Sequence, residues 1–227
     1  MRSIGKTPEK IREKIRLMVF ARAPVPGRCK TRLIRRYGAR GAAQIQRRLL
    51  RAVLHTACGA GMTVDLWCEP DARHGFFLAC RRHYGVALRR QHPGDLGRKM
   101  GLAIRTALRE GAPRALIIGS DCVALTIKDL RAAAAQLGRY DSVLQPADDG
   151  GYVLLGARTG ISSALRGIGW SSGREGAQTL ARLARQGFSS AALESRWDVD
   201  RPHDLRRARR QGLLQAPWYL LPAAASH

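Results

Sequence analysis

The sequence predicts an α/β fold, a mostly parallel sheet covered by helices on both faces with one antiparallel hairpin late in the chain. Three observations carry this. Short apolar, β-rich runs alternate with stretches of helical periodicity, the pattern of repeated βα units. Polar, glycine-containing segments fall just past the strand runs, where open α/β sheets hold their ligands. After Gln145 the alternation breaks: Asp148-Asp149-Gly150-Gly151 leads straight into another apolar run with no room for a crossover helix, so that strand returns antiparallel. A chain of 227 residues buries a full core, and it reads as one domain over 17–212, between an N-terminal extension (1–16) and a C-terminal tail (213–227).

The first strand is Leu17 to Ala21. It runs into Pro24-Val25-Pro26-Gly27-Arg28-Cys29-Lys30-Thr31-Arg32-Leu33, which gathers glycine, lysine, arginine and hydroxyl on one loop. Gly27 lets the backbone approach an anion, Lys30 and Arg32 bring positive charge, and the helix-forming region that follows adds amide donors. Pro26, Gly27, Lys30 and Arg32 are therefore candidate phosphate binders, although GxxxxGK[ST] is absent. Helical periodicity follows at Ala42 to Cys58, then a strand at Val64 to Cys68, a helix at Phe76 to Tyr84 and a strand at Val86 to Arg90. Gln91-His92-Pro93-Gly94-Asp95-Leu96-Gly97-Arg98 opens the next helix, Leu96 to Glu110. It adds Gly94, Asp95 and Arg98 to the phosphate candidates, with Asp95 equally suited to cap the helix.

Strand Ala115 to Gly119 ends in Ser120-Asp121-Cys122. A carboxylate just past a buried strand wants a cation, and a hard oxygen there suits Mg²⁺ or Mn²⁺ beside a phosphate. Asp121 could instead cap the turn, and Ser120 joins the phosphate candidates. A helix at Ile127 to Leu137 follows, with Thr126 and Asp129 spaced as a capping box. Next come strands Ser142 to Gln145 and Tyr152 to Leu155. The turn between them makes Asp149 a candidate catalytic carboxylate and Gly150, Gly151 and Tyr152 candidate substrate contacts, while Asp-Gly is also an ordinary hairpin turn. Helices at Gly176 to Gln186 and His203 to Gln211 close the pattern. Just before the last, Trp197-Asp198-Val199-Asp200-Arg201-Pro202 puts Asp198 and Asp200 on one side of an extended segment. Asp200 is a metal candidate or an N-cap ahead of Pro202, and Asp198 a candidate catalytic carboxylate.

The formal net charge of +23 comes from 34 arginines and 6 lysines against 17 acidic residues, without a single asparagine. Those arginines are scattered over helical segments with no interleaved aromatics, which argues against a specific nucleic-acid partner and leaves only salt-sensitive sticking to polyanions. Five cysteines without CxxC spacing support neither a disulfide framework nor a zinc ribbon and point to reduced thiols in the cytoplasm. The charged N-terminus has no signal-peptide core, no stretch reaches membrane-spanning length, and the tail Ala216 to His227 reads as a strap or loose end; no membrane partner is expected. The absence of HExxH, GxSxG and GxGxxG argues against a zinc protease, a serine hydrolase and a nicotinamide enzyme.

Taken in order, FARAPVPGRCKTRL (20–33), LWCEPD (66–71), QHPGDLGRKM (91–100), LIIGSDCVALT (116–126), PADDGGYVLLG (146–156) and WDVDRPHDL (197–205) resemble a bacterial family of glycosyltransferase-like proteins of the GT-A fold, associated with arsenosugar and radical-SAM gene neighbourhoods. The resemblance covers about residues 17–210. It implies a three-layer nucleotide-diphospho-sugar transferase fold, shared with nucleotidyltransferases of the molybdenum cofactor and of phospholactate. It further implies a nucleotide-activated small-molecule donor gripped by Lys30 and Arg32, a divalent metal on Asp121 and Asp200, and an acceptor of unspecified chemistry. The expected reaction is glycosyl transfer from a nucleotide sugar. The alternatives are nucleotidyl transfer from a triphosphate and a nucleotide-binding protein without activity. Two positions depart from the family's pattern: Val123 stands for the proline of SDCP, which is expected to loosen the turn that aims Asp121, and Arg201 stands for the usual threonine.

Overall fold

The computed structural model describes residues 15–214. The N-terminal extension up to residue 14 and the tail from 215 onward lie outside the described residues, so the expected strap is not among them. Seven strands form one sheet: β1 (Arg16–Arg22), β2 (Thr63–Glu69), β3 (Ala87–Arg90), β4 (Ala115–Gly119), β5 (Ser142–Pro146), β6 (Tyr152–Ala157) and β7 (Ser190–Ala192). Their order is β3-β2-β1-β4-β6-β5-β7, and β6 alone runs against the rest. The fold is thus α/β with a mostly parallel mixed sheet and an antiparallel strand, as expected. The antiparallel strand does more than extend an edge: β6 folds back between β4 and β5, pairing with both. The short β7 was not expected; its three residues pair only with the outer side of β5.

Alternation along the strands splits the core in two. Leu17, Val19 and Ala21 of β1 face a layer built by α1 (Thr31–Gly59), α2 (Gly75–Tyr84), α4 (Ile127–Gln136) and α6 (Pro202–Arg210). Met18 and Phe20 face α3 (Leu96–Arg109), α5 (Glu175–Arg185) and the buried segment Ile161 to Leu165. Helices therefore cover both faces, and polar groups that need water or ligand are driven to the strand ends. α1 starts at Thr31, well before the expected Ala42, and is broken at Gly38 (φ 68°). That break hid the first segment from a search for unbroken periodicity. The capping box of α4 is present as expected: the Thr126 hydroxyl accepts from the Asp129 N–H (3.2 Å) while the Asp129 carboxylate accepts from the Thr126 N–H (2.9 Å). All five cysteines are free. Among the described residues no helix is long and apolar enough to cross a membrane.

Candidate functional site

The carboxyl ends of β1 and β4 lie side by side, because these strands pair in parallel through the sheet centre. The loop after β1 turns tightly at Val25–Arg28, buries Cys29, and exposes Pro26 and Gly27 (φ 79°) at its tip, where nothing fills the space beside Gly27. Lys30 then adopts a left-handed conformation (φ 45°, ψ 47°) as it opens α1. A side chain pays for that geometry unless its surroundings hold it there, and here they do. The ammonium donates to the Asp121 carboxylate (2.6 Å) and to the Val199 carbonyl (2.6 Å), with only 7 % of the side chain exposed. Two residues on, Arg32 pairs with the Asp200 carboxylate.

Asp121 reaches this position because β4 ends on Gly119. A Cβ there would lie 2.5 Å from the Asp121 carboxylate, so only glycine lets that carboxylate fold back over the strand end. The turn is not loosened by Val123. Its N–H donates to the Asp121 carbonyl (2.9 Å), a bond that proline could not supply. The same carbonyl accepts from Val199 N–H (3.1 Å), which pins the Trp197–Asp200 segment against β4 with Val199 fully buried. Asp198 is thereby carried into electrostatic reach of Asp121. Arg201, not Asp200, occupies the cap of α6, and Asp204 closes that end by accepting from the N–H groups of Asp200 and Arg201. Asp200 is left with its carboxylate toward Arg32.

Burial and the negative charges of Asp121 and Asp149 push the Asp198 carboxyl up to about 7, against the opposing pull of Lys30. Burial would raise Asp121 as well, but the charge and hydrogen bond of Lys30 overcome it and hold that carboxyl below its usual range. Asp198 is thus within electrostatic reach of both Asp121 and Asp149, and Lys30 offsets the charge of Asp121 and Asp198. Among the described residues no group of three or more His, Cys, Asp or Glu already stands arranged as a metal cage.

From this head a groove of about 770 Å³ runs past Arg32, Asp148, Asp149, Gly151, Tyr152, Trp170, Trp197, Asp198, Asp200 and His203. The Asp149 carboxylate accepts from the Gly151 N–H (3.0 Å), so the hairpin turn and a place at the site are one structure. Gly150 meets the Gly173 carbonyl so closely that a Cβ would lie 1.9 Å from it; its part is to seat the segment before α5. Tyr152 and Trp170 meet edge to face, with centroids 6.3 Å apart. The Trp197 ring is covered by Arg207 (4.4 Å), which also pairs with Asp148 (3.4 Å).

The remaining candidates lie elsewhere. The Ser120 hydroxyl is buried and accepts from Gln46 (3.0 Å) inside the fold. Gly94 borders a separate cavity of about 240 Å³ with Glu69, Gln91 and Lys99. Asp95 caps α3 by accepting from the Arg98 N–H (2.8 Å), and both border a third cleft. The sequence reading missed Trp170 and Glu175 as groove residues; the signal was a tryptophan inside the Ser/Gly-rich run Gly169 to Gly173 between β6 and α5.

A sequence model of the family described as "Uncharacterized protein conserved in bacteria (DUF2064)" matches residues 49–172, and the chain belongs to that family. No curated protein matches it in sequence. Among solved structures it is similar to a "putative nucleotide-diphospho-sugar transferase" from Desulfovibrio desulfuricans G20, with 25% identity, a TM-score of 0.78, and coverage of 89% of this chain and 94% of that one. A nucleotidyl transferase from Methanothermobacter shares the fold at 17% identity and a TM-score of 0.61, over 89% of this chain and 99% of that one. So does Rv0371c of Mycobacterium tuberculosis, solved in complex with manganese, at 19% identity and a TM-score of 0.52, over 89% and 99% of the two chains.

Proposed function

We propose that this DUF2064 protein is a metal-dependent transferase that takes a nucleotide-activated donor, and that the donor is a nucleotide sugar. The observation that carries the reading is the charge imbalance at the head of the groove, where Asp121 and Asp198 share Lys30 and Asp149 adds its negative charge beside Asp198. Negative charge left unrelieved at a strand end, on hard oxygens from separate segments, fits a divalent cation that takes few protein ligands and completes its shell with phosphate and water. Asp121 and Asp200 would hold Mg²⁺ or Mn²⁺, which supplies charge neutralisation for a departing diphosphate. The manganese complex of a protein with this fold supports the choice of ion.

The chain's own residues do the rest. Lys30 and Arg32, each paired with a carboxylate, exchange those partners for donor phosphates and compensate the charge that develops there. Asp198, beside Asp121 and with Asp149 the neighbouring carboxylate, accepts the acceptor hydroxyl's proton. Gly151, Tyr152 and Trp170 offer backbone and ring surface to the sugar. The motifs that resemble the arsenosugar- and radical-SAM-associated transferases belong to the same proposal, as does action in the cytoplasm on small molecules without a nucleic-acid or membrane partner.

A second reading is nucleotidyl transfer, favoured by the Lys30 and Arg32 loop, which would serve a triphosphate equally well, and by the fold shared with a nucleotidyl transferase. A nucleotide-binding protein without activity is disfavoured by the intact Lys30, Asp121 and Asp200. The deciding experiment incubates the protein with Mg²⁺ or Mn²⁺ and pooled nucleotide sugars and triphosphates, records which one raises its melting temperature, and identifies the products. A released nucleoside diphosphate is expected. Pyrophosphate with a nucleotide-linked product would install the second reading, and no protection by any nucleotide would remove both.

A further inference from the structure

We infer that the cleft between α3 and the segment 160–168 is a second anion site, built for a small molecule that carries a phosphate-class dianion. Its volume is about 460 Å³, and Asp95, Arg98, Leu102, Arg105, Ser162 and Arg166 line it. That is the size range of small-ligand sites. Arg98, Leu102 and Arg105 recur at the spacing that puts them on one face of α3, and Arg166 comes from the opposite wall. Among the described residues none of the three guanidiniums has an ion-pair or hydrogen-bond partner. The Asp95 carboxylate serves the Arg98 N–H as helix cap, and the Ser162 hydroxyl donates to the Gly101 carbonyl.

Three exposed guanidiniums border one cleft whose lining holds a single carboxylate, an excess of positive charge that a bound anion would balance. Elsewhere in this chain several arginines are paired with carboxylates: Arg16 with Asp65, Arg196 with Asp129 and Arg158 with Asp141. A phosphate monoester brings a charge of about −1.5 to −2, enough to balance the excess, and its oxygens match guanidinium forks two at a time. A single carboxylate would leave the site positive. The sequence reading counted Arg105 among scattered surface arginines and assigned Arg98 to the donor; the fold groups them with Arg166, 61 positions after Arg105, and apart from the groove.

The test titrates inorganic pyrophosphate into the full chain by calorimetry, in chelating-resin-treated buffer at fixed ionic strength. Arg105→Ala and Arg166→Ala should each weaken binding by about tenfold or more, the loss expected for charge-assisted contacts. Arg81→Ala, an exposed arginine on α2, should leave it unchanged. Lys30→Ala should remove any separate pyrophosphate event in the groove while the event that depends on Arg105 and Arg166 persists, which separates this site from the groove and from the transferase reading. Undiminished affinity in both cleft variants, an equal loss in Arg81→Ala, loss in Lys30→Ala alone, or no saturable binding by the wild type would each overturn the inference. Binding of single-stranded DNA through the same arginines with none of pyrophosphate would replace it with a polynucleotide site.

Discussion

The two ends of the sheet carry ion networks of the same chemistry and opposite balance. At the amino ends, Asp65 of β2 is buried yet accepts two hydrogen bonds from Arg16 (3.2 Å each) and faces Arg89 (3.6 Å). Arg89 in turn grips Glu110 with both nitrogens (2.8 and 2.6 Å). Two carboxylates meet two guanidiniums and the charges balance, with the buried Arg16 Nε left without a hydrogen-bond partner among the described residues. At the carboxyl ends, Asp121 and Asp198 share Lys30 with Asp149 adding negative charge beside Asp198, while Arg32 is spent on Asp200. A closed network ties strands β1, β2 and β3 to the end of α3 and leaves nothing for a ligand to gain. An open one stores repulsion that a cation or a protonated partner relieves, and such imbalance is what functional sites maintain at some cost in stability.

The sharpest way to break this contrast is to neutralise one carboxylate at each end. Asp65→Asn leaves Arg16 and Arg89 in part unpaired beneath the sheet and should lower stability by about 3–5 kcal/mol, the cost of breaking a buried pair, while donor affinity per folded molecule stays the same. Asp121→Asn should do the reverse: the fold survives, while metal-dependent nucleotide binding disappears and transfer falls on the order of a hundredfold or more. Chemical denaturation and thermal protection by nucleotide, measured on both variants, give the answer. Normal metal-dependent affinity in Asp121→Asn would take Asp121 out of the site.

Lys30 offers a finer probe, since its ammonium bonds Asp121 directly within the unbalanced network. Lys30→Ala should weaken a diphosphate or triphosphate ligand by roughly 1.5–3 kcal/mol and the bare nucleoside hardly at all, as expected for a charge-assisted phosphate contact. Equal losses for both ligands would mean that the left-handed Lys30 serves the loop's shape instead.

What the sequence disclosed and what it concealed follow the same physical line. Local signals were legible: the six longer strands, the Thr126–Asp129 box, Pro202 at the start of α6, and the antiparallel return after the Asp-Gly turn, all set by residues within a few positions of one another. The basic loop and the acidic strand ends were legible too, as candidates standing apart. Their meeting was not, because the bond from Lys30 to Asp121 joins residues 91 positions apart and depends on β1 pairing with β4. Non-local pairing likewise hid the insertion of β6 between β4 and β5 and the three-residue β7. It also divided Gly94 from Asp95 and Arg98, neighbours in sequence that face different cavities across the start of α3.

The smallest expected effect concerns the pH dependence of the open network. In metal-free buffer Asp198 ionises near pH 7 in the folded chain, whereas its ordinary value is 3.8. Below about pH 4 the group is protonated in both folded and unfolded chains and adds no pH dependence. As pH rises from there, the unfolded chain releases its proton first, so the folded state loses stability relative to it; the loss is complete above pH 7. Asp198→Asn cannot ionise and escapes that penalty. Its stability should exceed that of the wild type by on the order of 1–2 kcal/mol at pH 8, with part of the full linkage surrendered because Lys30 and Asp121 readjust as the charge forms. The advantage should shrink steadily as the pH is lowered toward 4. Denaturant midpoints of the two proteins across this range decide the matter. A difference that stays constant with pH would assign the effect to packing of the amide and deny that charge repulsion sets apart the carboxyl end of the sheet.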